Sequence, residues 1–100
     1  YCSGQIPLLP ATGEMVEGGI AEQTRQVLNN LVQILNAAGC SFENVVKTTI
    51  YLVDLKVFSV VNEIYREYCG ETAPARVTVE VSGLPRGALV EMEAVAYLGD

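Results

Sequence analysis

The segment from Pro74 to Ala96 constrains the fold more than any other, because two short runs within it alternate between apolar and polar residues. Alternation with a period of two is typical of a β-strand with one buried face. The residues between the two runs, Gly83 to Gly87, include two glycines and a proline, which favours a turn. The pattern therefore predicts a β-hairpin of two antiparallel strands.

Each strand of the predicted hairpin has one apolar face and one face that carries charge. In the first strand, Arg76, Thr78 and Glu80 alternate with valines, and in the second, Glu91 and Glu93 alternate with apolar residues. Side chains at every second position of a strand point to the same face. We therefore expect the Arg76 guanidinium and the Glu91 carboxylate to share one face of the sheet.

This expected pair has a structural and a functional interpretation. As a cross-strand ion pair it would contribute about 0.2 to 1 kcal/mol to stability. As a site, the planar fork of Arg76 would bind a substrate carboxylate through two hydrogen bonds, while Glu91 positions a water molecule. The hairpin alone leaves both interpretations open.

The rest of the chain predicts an α+β fold with one mixed sheet. Apolar residues recur at helical spacing from Ile20 to Ala38, with polar amides on the expected solvent face, and again from Val57 to Tyr68 after the potential cap Asp54. Residues Val45 to Val53 indicate a strand that is covered on both faces, and Tyr1 to Gln5 indicate a first strand. We expect each helix to connect two neighbouring parallel strands and both helices to pack on one face of the sheet.

The opposite face of this sheet has no covering element in the predicted fold. Its strands nevertheless carry apolar residues on both sides, and a large exposed apolar patch is unusual in a monomer. The pattern therefore predicts that another subunit covers this face.

Composition excludes several classes of function. The chain has 100 residues, six Lys and Arg, no His and a formal net charge of -6, which argues against a nucleic acid partner. Without His, a Ser/His or Cys/His nucleophile cannot form within the chain, and zinc sites lack their commonest ligand. Three widely spaced cysteines indicate reduced thiols, and no apolar run reaches the roughly 20 residues that span a bilayer.

Two further positions have both a structural and a functional interpretation. Ser3 and Gly4 interrupt the first predicted strand, either as a bulge or as a place where a ligand approaches the backbone closely. Asn62 lies beside the apolar stripe of the second helix, either as a boundary amide or as a ligand contact. The residues alone favour the structural interpretation in both cases.

Short motifs extend through nearly the whole chain. They are SGQIP at 3–7, TGE at 12–14, EQTRQVLNNL at 22–31, AAG at 37–39, VVKTTIYLVD at 45–54, VNEIY at 61–65, PAR at 74–76, LPRGA at 84–88 and VEMEAVA at 90–96. In their order and spacing they resemble the Rid family of imine and enamine deaminases, also known as the YjgF/UK114 group.

The resemblance implies a single domain over residues 1–100 with a chorismate-mutase-like fold. It also implies a homotrimer around a central β-barrel, with active sites in the clefts between subunits. The family's domain normally begins one or two strands earlier, in a segment with a pocket tyrosine that this sequence does not contain. We therefore expect an exposed sheet edge and an incomplete site in the chain as given.

The resemblance further implies a hydrolase that acts on C=N bonds. Its substrates would be reactive 2-imino acids and their enamine tautomers, such as 2-aminoacrylate, and its products 2-keto acids and ammonia, without a metal or an organic cofactor. Such an enzyme protects against metabolite damage. Its expected location is the cytoplasm, or a mitochondrion or plastid if a targeting segment has been removed.

The site residues that the resemblance implies are carried over position by position. The family's arginine falls on Arg76, its water-orienting glutamate on Glu91, its Ser-Gly pair on Ser3 and Gly4, and its helix asparagine on Asn62. Where the family often has Cys, this chain has Thr78, which keeps a backbone contact to substrate but removes any role for a thiol. Glu93 is expected to be a hydrogen-bond or ion-pair partner.

Two other classes of function stay open at this point. One is a carboxylate-binding or chaperone-like trimer without turnover. The other is a ribonuclease or translation inhibitor, against which the acidic charge and the lack of His both argue.

Overall fold

Four strands and two helices make up the fold of the computed structural model, which describes residues 1–70 and 73–98. The strands are β1 (Cys2–Gln5), β2 (Val45–Leu52), β3 (Ala75–Glu80) and β4 (Val90–Ala96), and the helices are α1 (Ile20–Ala37) and α2 (Phe58–Cys69). Short 3-10 turns occur at Phe42–Asn44, Leu55–Val57 and Pro85–Gly87. Within these residues, neither helix is long and apolar enough to cross a membrane.

The strands form one mixed sheet in the order β1-β4-β2-β3. Strand β4 is antiparallel to both β1 and β2, and β2 is parallel to β3. The predicted mixed sheet and the parallel pair joined by α2 are therefore confirmed. The first helix differs from expectation, because β4 lies between the two strands that α1 connects.

The predicted hairpin of β3 and β4 is wrong, since β2 lies between these two strands. The connecting segment passes the end of β2, where the Val81 N–H donates to the Leu52 carbonyl at 2.8 Å and the Val53 N–H donates to the Leu89 carbonyl at 3.3 Å. Strand β2, which has β-branched and aromatic residues on both faces, thus occupies a central position. The two strands with charged residues flank it.

The register of β2 determines which side chains share a face. Thr48 is opposite Arg76 on one side and opposite Ala94 on the other. Tyr51 is opposite Val79 on one side and Glu91 on the other. Arg76 therefore lies on the face of the buried apolar residues of β4, and Glu91 lies on the reverse face. The expectation that the two side chains share a face is wrong.

The core lies between the helices and one face of the sheet. Every second residue is buried in β2 from Thr48 onward and in β4 from Val90 to Ala94, and these buried residues all lie on this face. The two helices α1 and α2 supply the opposing apolar residues. The core side chains from both layers are Val27, Leu28, Leu31, Leu35, Val45, Ile50, Leu52, Val61, Ile64, Tyr65, Val90, Met92 and Ala94. This arrangement confirms one sheet with two helices on one face.

The reverse face, which we call the open face, has no buried residue among its central positions. Val77 is 45% exposed and Val79 is 37% exposed, and Thr49, Tyr51 and Glu91 are partly exposed. The open face therefore presents apolar side chains to solvent in the single chain, as the sequence predicted.

Two amides of α1 are buried, although its amides were expected to face solvent. The Gln23 side chain accepts a hydrogen bond from the Leu89 N–H at 2.8 Å. The Asn30 side chain donates to the Leu8 carbonyl at 2.9 Å. Both amides form hydrogen bonds with backbone groups of loops that pack against the helix. The buried polar groups at these contacts are therefore paired.

One buried polar contact ties α2 to the sheet. The hydroxyl oxygens of Thr48 and Tyr65 lie 2.5 Å apart, and the two residues are 1% and 2% exposed. A buried hydroxyl that loses its only partner costs more free energy than the hydrogen bond itself contributes. This contact therefore constrains the position of α2 over β2.

We predict strong coupling between Thr48 and Tyr65 in the free energy of unfolding. Thr48→Val and Tyr65→Phe should each lower it by about 1 to 3 kcal/mol, because each removes the hydrogen bond between two buried hydroxyls. The double variant should lose clearly less than the sum of the two, which urea denaturation would measure. Tyr68→Phe is the control, since its hydroxyl bonds Asn29 at an exposed position. Additive losses in the double variant would contradict the prediction.

Candidate active site

The Arg76 side chain lies against α2 on the helix side of the sheet. Its Nη1 donates to Oδ1 of Asn62 at 2.5 Å. Its guanidinium carbon lies over the rings of Phe58 and Tyr65, 5.1 Å from each ring centroid. The only ion pair among residues 1–70 and 73–98 joins Arg25 to Glu67, so no carboxylate in that part of the chain neutralises Arg76.

A pocket of about 730 Å³ opens beside Arg76, between α2 and the start of β3. Asn62, Tyr65, Cys69 and Pro74 contribute to its wall together with Arg76, and Arg66 adds a second cation. The described lining residues include no acidic side chain. In a protein of net charge -6, this concentration of positive charge favours an anionic ligand.

Thr78 follows Arg76 on the same face of β3, opposite Ile50 of β2. Its hydroxyl oxygen is buried and has no hydrogen-bond partner among the described residues. Buried polar groups are normally paired, and an unpaired one costs free energy. The hydroxyl is therefore an unused hydrogen-bonding group close to the arginine in the strand.

The tyrosine and the thiol beside Arg76 are neutral at physiological pH. Burial raises the pKa of Tyr65 to about 12. Burial also raises the pKa of the Cys69 thiol above its usual value, against smaller opposing effects of the Tyr65 hydrogen bond and the Arg76 charge. The predicted site residues on this side of the sheet are Arg76, Asn62 and Thr78, which we call the arginine cluster, and Arg76 carries its only charge.

Glu91 lies on the open face, beside the backbone of β1. A β-carbon added at Gly4 would collide with the Oε2 atom of Glu91, so the absence of a side chain at Gly4 lets the carboxylate approach the strand. The pairing of β1 with β4 is irregular between Cys2 and Gln5, as expected for a bulge or a bend at Ser3 and Gly4. We call Ser3, Gly4 and Glu91 the glutamate cluster.

Glu93, the next residue along this face of β4, has a different partner. The Tyr51 hydroxyl donates to the Glu93 carboxylate, and this hydrogen bond is the main reason that the pKa of Tyr51 is raised. The expected role of Glu93 as a hydrogen-bond partner is confirmed. The Glu91 carboxylate makes no such bond to the residues that the structure describes, which leaves it available to other groups.

The structure therefore separates the six predicted site residues into two groups. The arginine cluster lies on the helix side of the sheet and the glutamate cluster on the open face. Within one chain, Arg76 and Glu91 do not approach the same ligand.

Sequence reasoning missed the aromatic neighbours of the arginine. Tyr65 was interpreted as part of the apolar stripe of the second helix, and Phe58 was not assigned to it. Their spacing of four and three residues from Asn62 places all three on one face of a helix. That spacing predicts a shared face of the helix, but it does not distinguish contact with Arg76 from contact with the core.

Comparisons with known proteins agree with the fold and identify the family. Residues 1–98 match the Endoribonuclease L-PSP family. The chain is 56% identical over 97 residues to a RutC family protein of Pyrococcus horikoshii, covering 97% of this chain and 77% of the relative. It is 50% identical over 99 residues to the 2-iminobutanoate/2-iminopropanoate deaminase of Homo sapiens, covering 99% of this chain and 72% of the relative.

A solved structure supports the same assignment. RidA from the Antarctic bacterium Psychrobacter superimposes with a TM-score of 0.92 at 42% sequence identity, covering 96% of this chain and 77% of that one. Sequence and structure thus agree over almost the whole chain, and both match the family that the motifs resemble. The chain belongs to the Rid family, the group described as Endoribonuclease L-PSP.

Proposed function

We propose that this protein hydrolyses 2-imino acids and their enamine tautomers to 2-keto acids and ammonia. The observation that carries the proposal is the Arg76 guanidinium, which lies beside a pocket and has no carboxylate partner among the described residues. A planar fork of this kind matches a carboxylate. The name of the human relative supports the C=N chemistry.

The proposed active site lies between two protomers of a homotrimer. Because Arg76 and Glu91 are on opposite faces of one sheet, one protomer would supply the arginine cluster and its neighbour the glutamate cluster. The exposed valines of the open face support such an assembly, since packing against another copy would remove them from water. In this arrangement the three sheets surround a central barrel.

In the proposed reaction, Arg76 binds the substrate carboxylate and so holds the adjacent imine carbon in place. Water adds to the C=N bond of the protonated imine while Glu91 accepts a proton from it, which gives a neutral carbinolamine. Glu91 then returns this proton to the nitrogen. As the C–N bond breaks and the C=O bond of the 2-keto acid forms, Glu91 accepts the hydroxyl proton and passes it to the departing ammonia, which leaves as ammonium. An enamine first takes a proton from solvent at its terminal carbon to become the same protonated imine.

The remaining residues of the two clusters bind and shape rather than react. Asn62 orients one nitrogen of Arg76, and Thr78 offers its backbone or its unpaired hydroxyl to the carboxylate. Ser3 and Gly4 form the wall beside Glu91, where the lack of a β-carbon at Gly4 keeps space for the carboxylate. The chemistry requires no group beyond these side chains and water.

The family's description as an endoribonuclease suggests RNA cleavage as a second candidate. A net charge of -6 and the lack of His both oppose it. A carboxylate-binding trimer without turnover is a further alternative, and an activity assay separates it from the deaminase. RNA cleavage that persists in Arg76→Ala and strengthens at low salt would favour the ribonuclease.

We predict that substitutions of Arg76 remove the activity. In an assay that couples a pyridoxal-phosphate dehydratase and its 2-amino acid substrate to this protein, the parent should accelerate the disappearance of the imine. Arg76→Ala should abolish the acceleration, and Arg76→Lys should reduce it by about tenfold or more because an ammonium does not reproduce the fork. Arg25→Ala, which breaks an exposed ion pair, is the control and should stay active. Full activity in both Arg76→Ala and Arg76→Lys would rule out carboxylate recognition by this side chain.

We also predict different effects for the two glutamates of β4. Glu91→Gln should lower kcat by about 10² to 10⁴ because the proton acceptor is lost, while pyruvate, a product-like ligand, should bind with nearly parental affinity. Glu93→Gln is the matched control, since its neighbour Tyr51 can still donate to an amide oxygen. Steady-state kinetics and a pyruvate titration would measure both effects. An active Glu91→Gln variant, or equal losses in the two variants, would contradict the assigned role.

A further inference from the structure

We propose that Phe58 and Tyr65 are positioning residues that hold the Arg76 guanidinium in a fixed orientation and leave its charge available to a substrate carboxylate. We call these two side chains the aromatic bracket. The inference rests on the proposed function, because it assumes that Arg76 binds a carboxylate, and it extends that function to two side chains that act through the arginine.

The geometry of the bracket follows from the helical repeat. Phe58 and Tyr65 are seven residues apart on α2, which is close to two turns, so their rings extend from the same face of the helix. The guanidinium carbon of Arg76 lies 5.1 Å from both ring centroids, within the roughly 6 Å at which a cation is attracted to an aromatic face. Asn62 lies between them in sequence and accepts a hydrogen bond from Nη1 of Arg76.

The bracket is chemically suited to an arginine that must bind an anion. A carboxylate neighbour would hold the side chain as firmly, but it would cancel the positive charge and compete with the ligand. Aromatic faces and an amide attract the guanidinium without adding a negative charge. Because burial raises the pKa of Tyr65 to about 12, its hydroxyl also stays neutral at physiological pH.

One wall of the bracket is anchored to the sheet beside Arg76 itself. The Tyr65 hydroxyl lies 2.5 Å from the hydroxyl of Thr48, and Thr48 is the residue of β2 directly opposite Arg76. Thr48 therefore holds the Tyr65 ring through its hydroxyl and also lies opposite the backbone of Arg76 in the sheet. This arrangement limits the rotation of the guanidinium before a ligand binds, which lowers the cost of binding.

The test compares two ligands that differ in charge. Pyruvate carries the carboxylate, and its amide, pyruvamide, is similar in size but neutral. In the assembled protein, Phe58→Leu keeps an apolar side chain but removes one aromatic face. We expect the Kd of pyruvate to rise about three- to tenfold, in line with the strength of a cation–aromatic contact, and the Kd of pyruvamide to stay the same.

Matched variants separate positioning from a general effect on the fold. Phe58→Tyr retains the ring and should retain parental affinity for pyruvate. Phe42→Leu removes an aromatic residue that packs near Tyr68 rather than Arg76 and should leave pyruvate binding unchanged. Phe58→Met, also apolar and without a ring, repeats the main comparison if Phe58→Leu does not fold.

Arg76→Ala distinguishes a failure of the bracket from a failure of the proposed function. If the bracket acts through the arginine, Phe58→Leu should cause no further loss of pyruvate affinity in the Arg76→Ala background. Equal affinity for pyruvate in the parent and Arg76→Ala would overturn the proposed carboxylate site, and the bracket with it.

Three other results would overturn the bracket alone. The first is a Phe58→Leu variant that binds pyruvate as tightly as the parent while Arg76→Ala loses binding. The second is a Phe58→Leu variant that loses as much affinity for pyruvamide as for pyruvate. The third is a Phe58→Leu substitution that lowers pyruvate affinity as much in the Arg76→Ala background as in the parent.

Discussion

The pairing of β2 with strands on both sides determines which side chains of this protein can meet. Thr48 of β2 is opposite Arg76 in β3 and Ala94 in β4, and side chains directly opposite each other in a sheet point to the same face. The arginine is consequently held on the helix side, while Glu91 faces the other way. A shift of either register by one residue would exchange these faces and expose part of the core.

This geometry makes the chain an incomplete unit for the proposed chemistry. One face holds a guanidinium without a carboxylate neighbour among the described residues, and the other holds a carboxylate that covers a glycine backbone. On the open face, the edge strand β3 exposes Val77 and Val79. If the site forms between protomers, assembly and activity are linked, and dilution that separates the subunits also removes the activity.

Much of the local structure could be predicted from the sequence, because hydrophobic period reports which face of an element is buried. Both helices, the central strand and the parallel pair around α2 were predicted on that basis. The hairpin was wrong because alternation in β3 and β4 does not show whether another strand lies between them. The positions of Arg76 and Glu91 depend on that strand order, so their separation could not be predicted from either strand alone. The aromatic bracket was missed for a related reason, since a ring that faces the core and a ring that faces a cation have the same helical spacing.

Mixing two inactive variants tests most directly whether the arginine and glutamate clusters of different protomers form one site. Arg76→Ala and Glu91→Gln subunits, each inactive alone, would be unfolded together in equal amounts and refolded. A site between protomers should recover about a quarter of the parental activity, because random assembly pairs an intact Arg76 with an intact Glu91 at about one interface in four. Mixed trimers that stay as inactive as the separate variants would contradict the shared site.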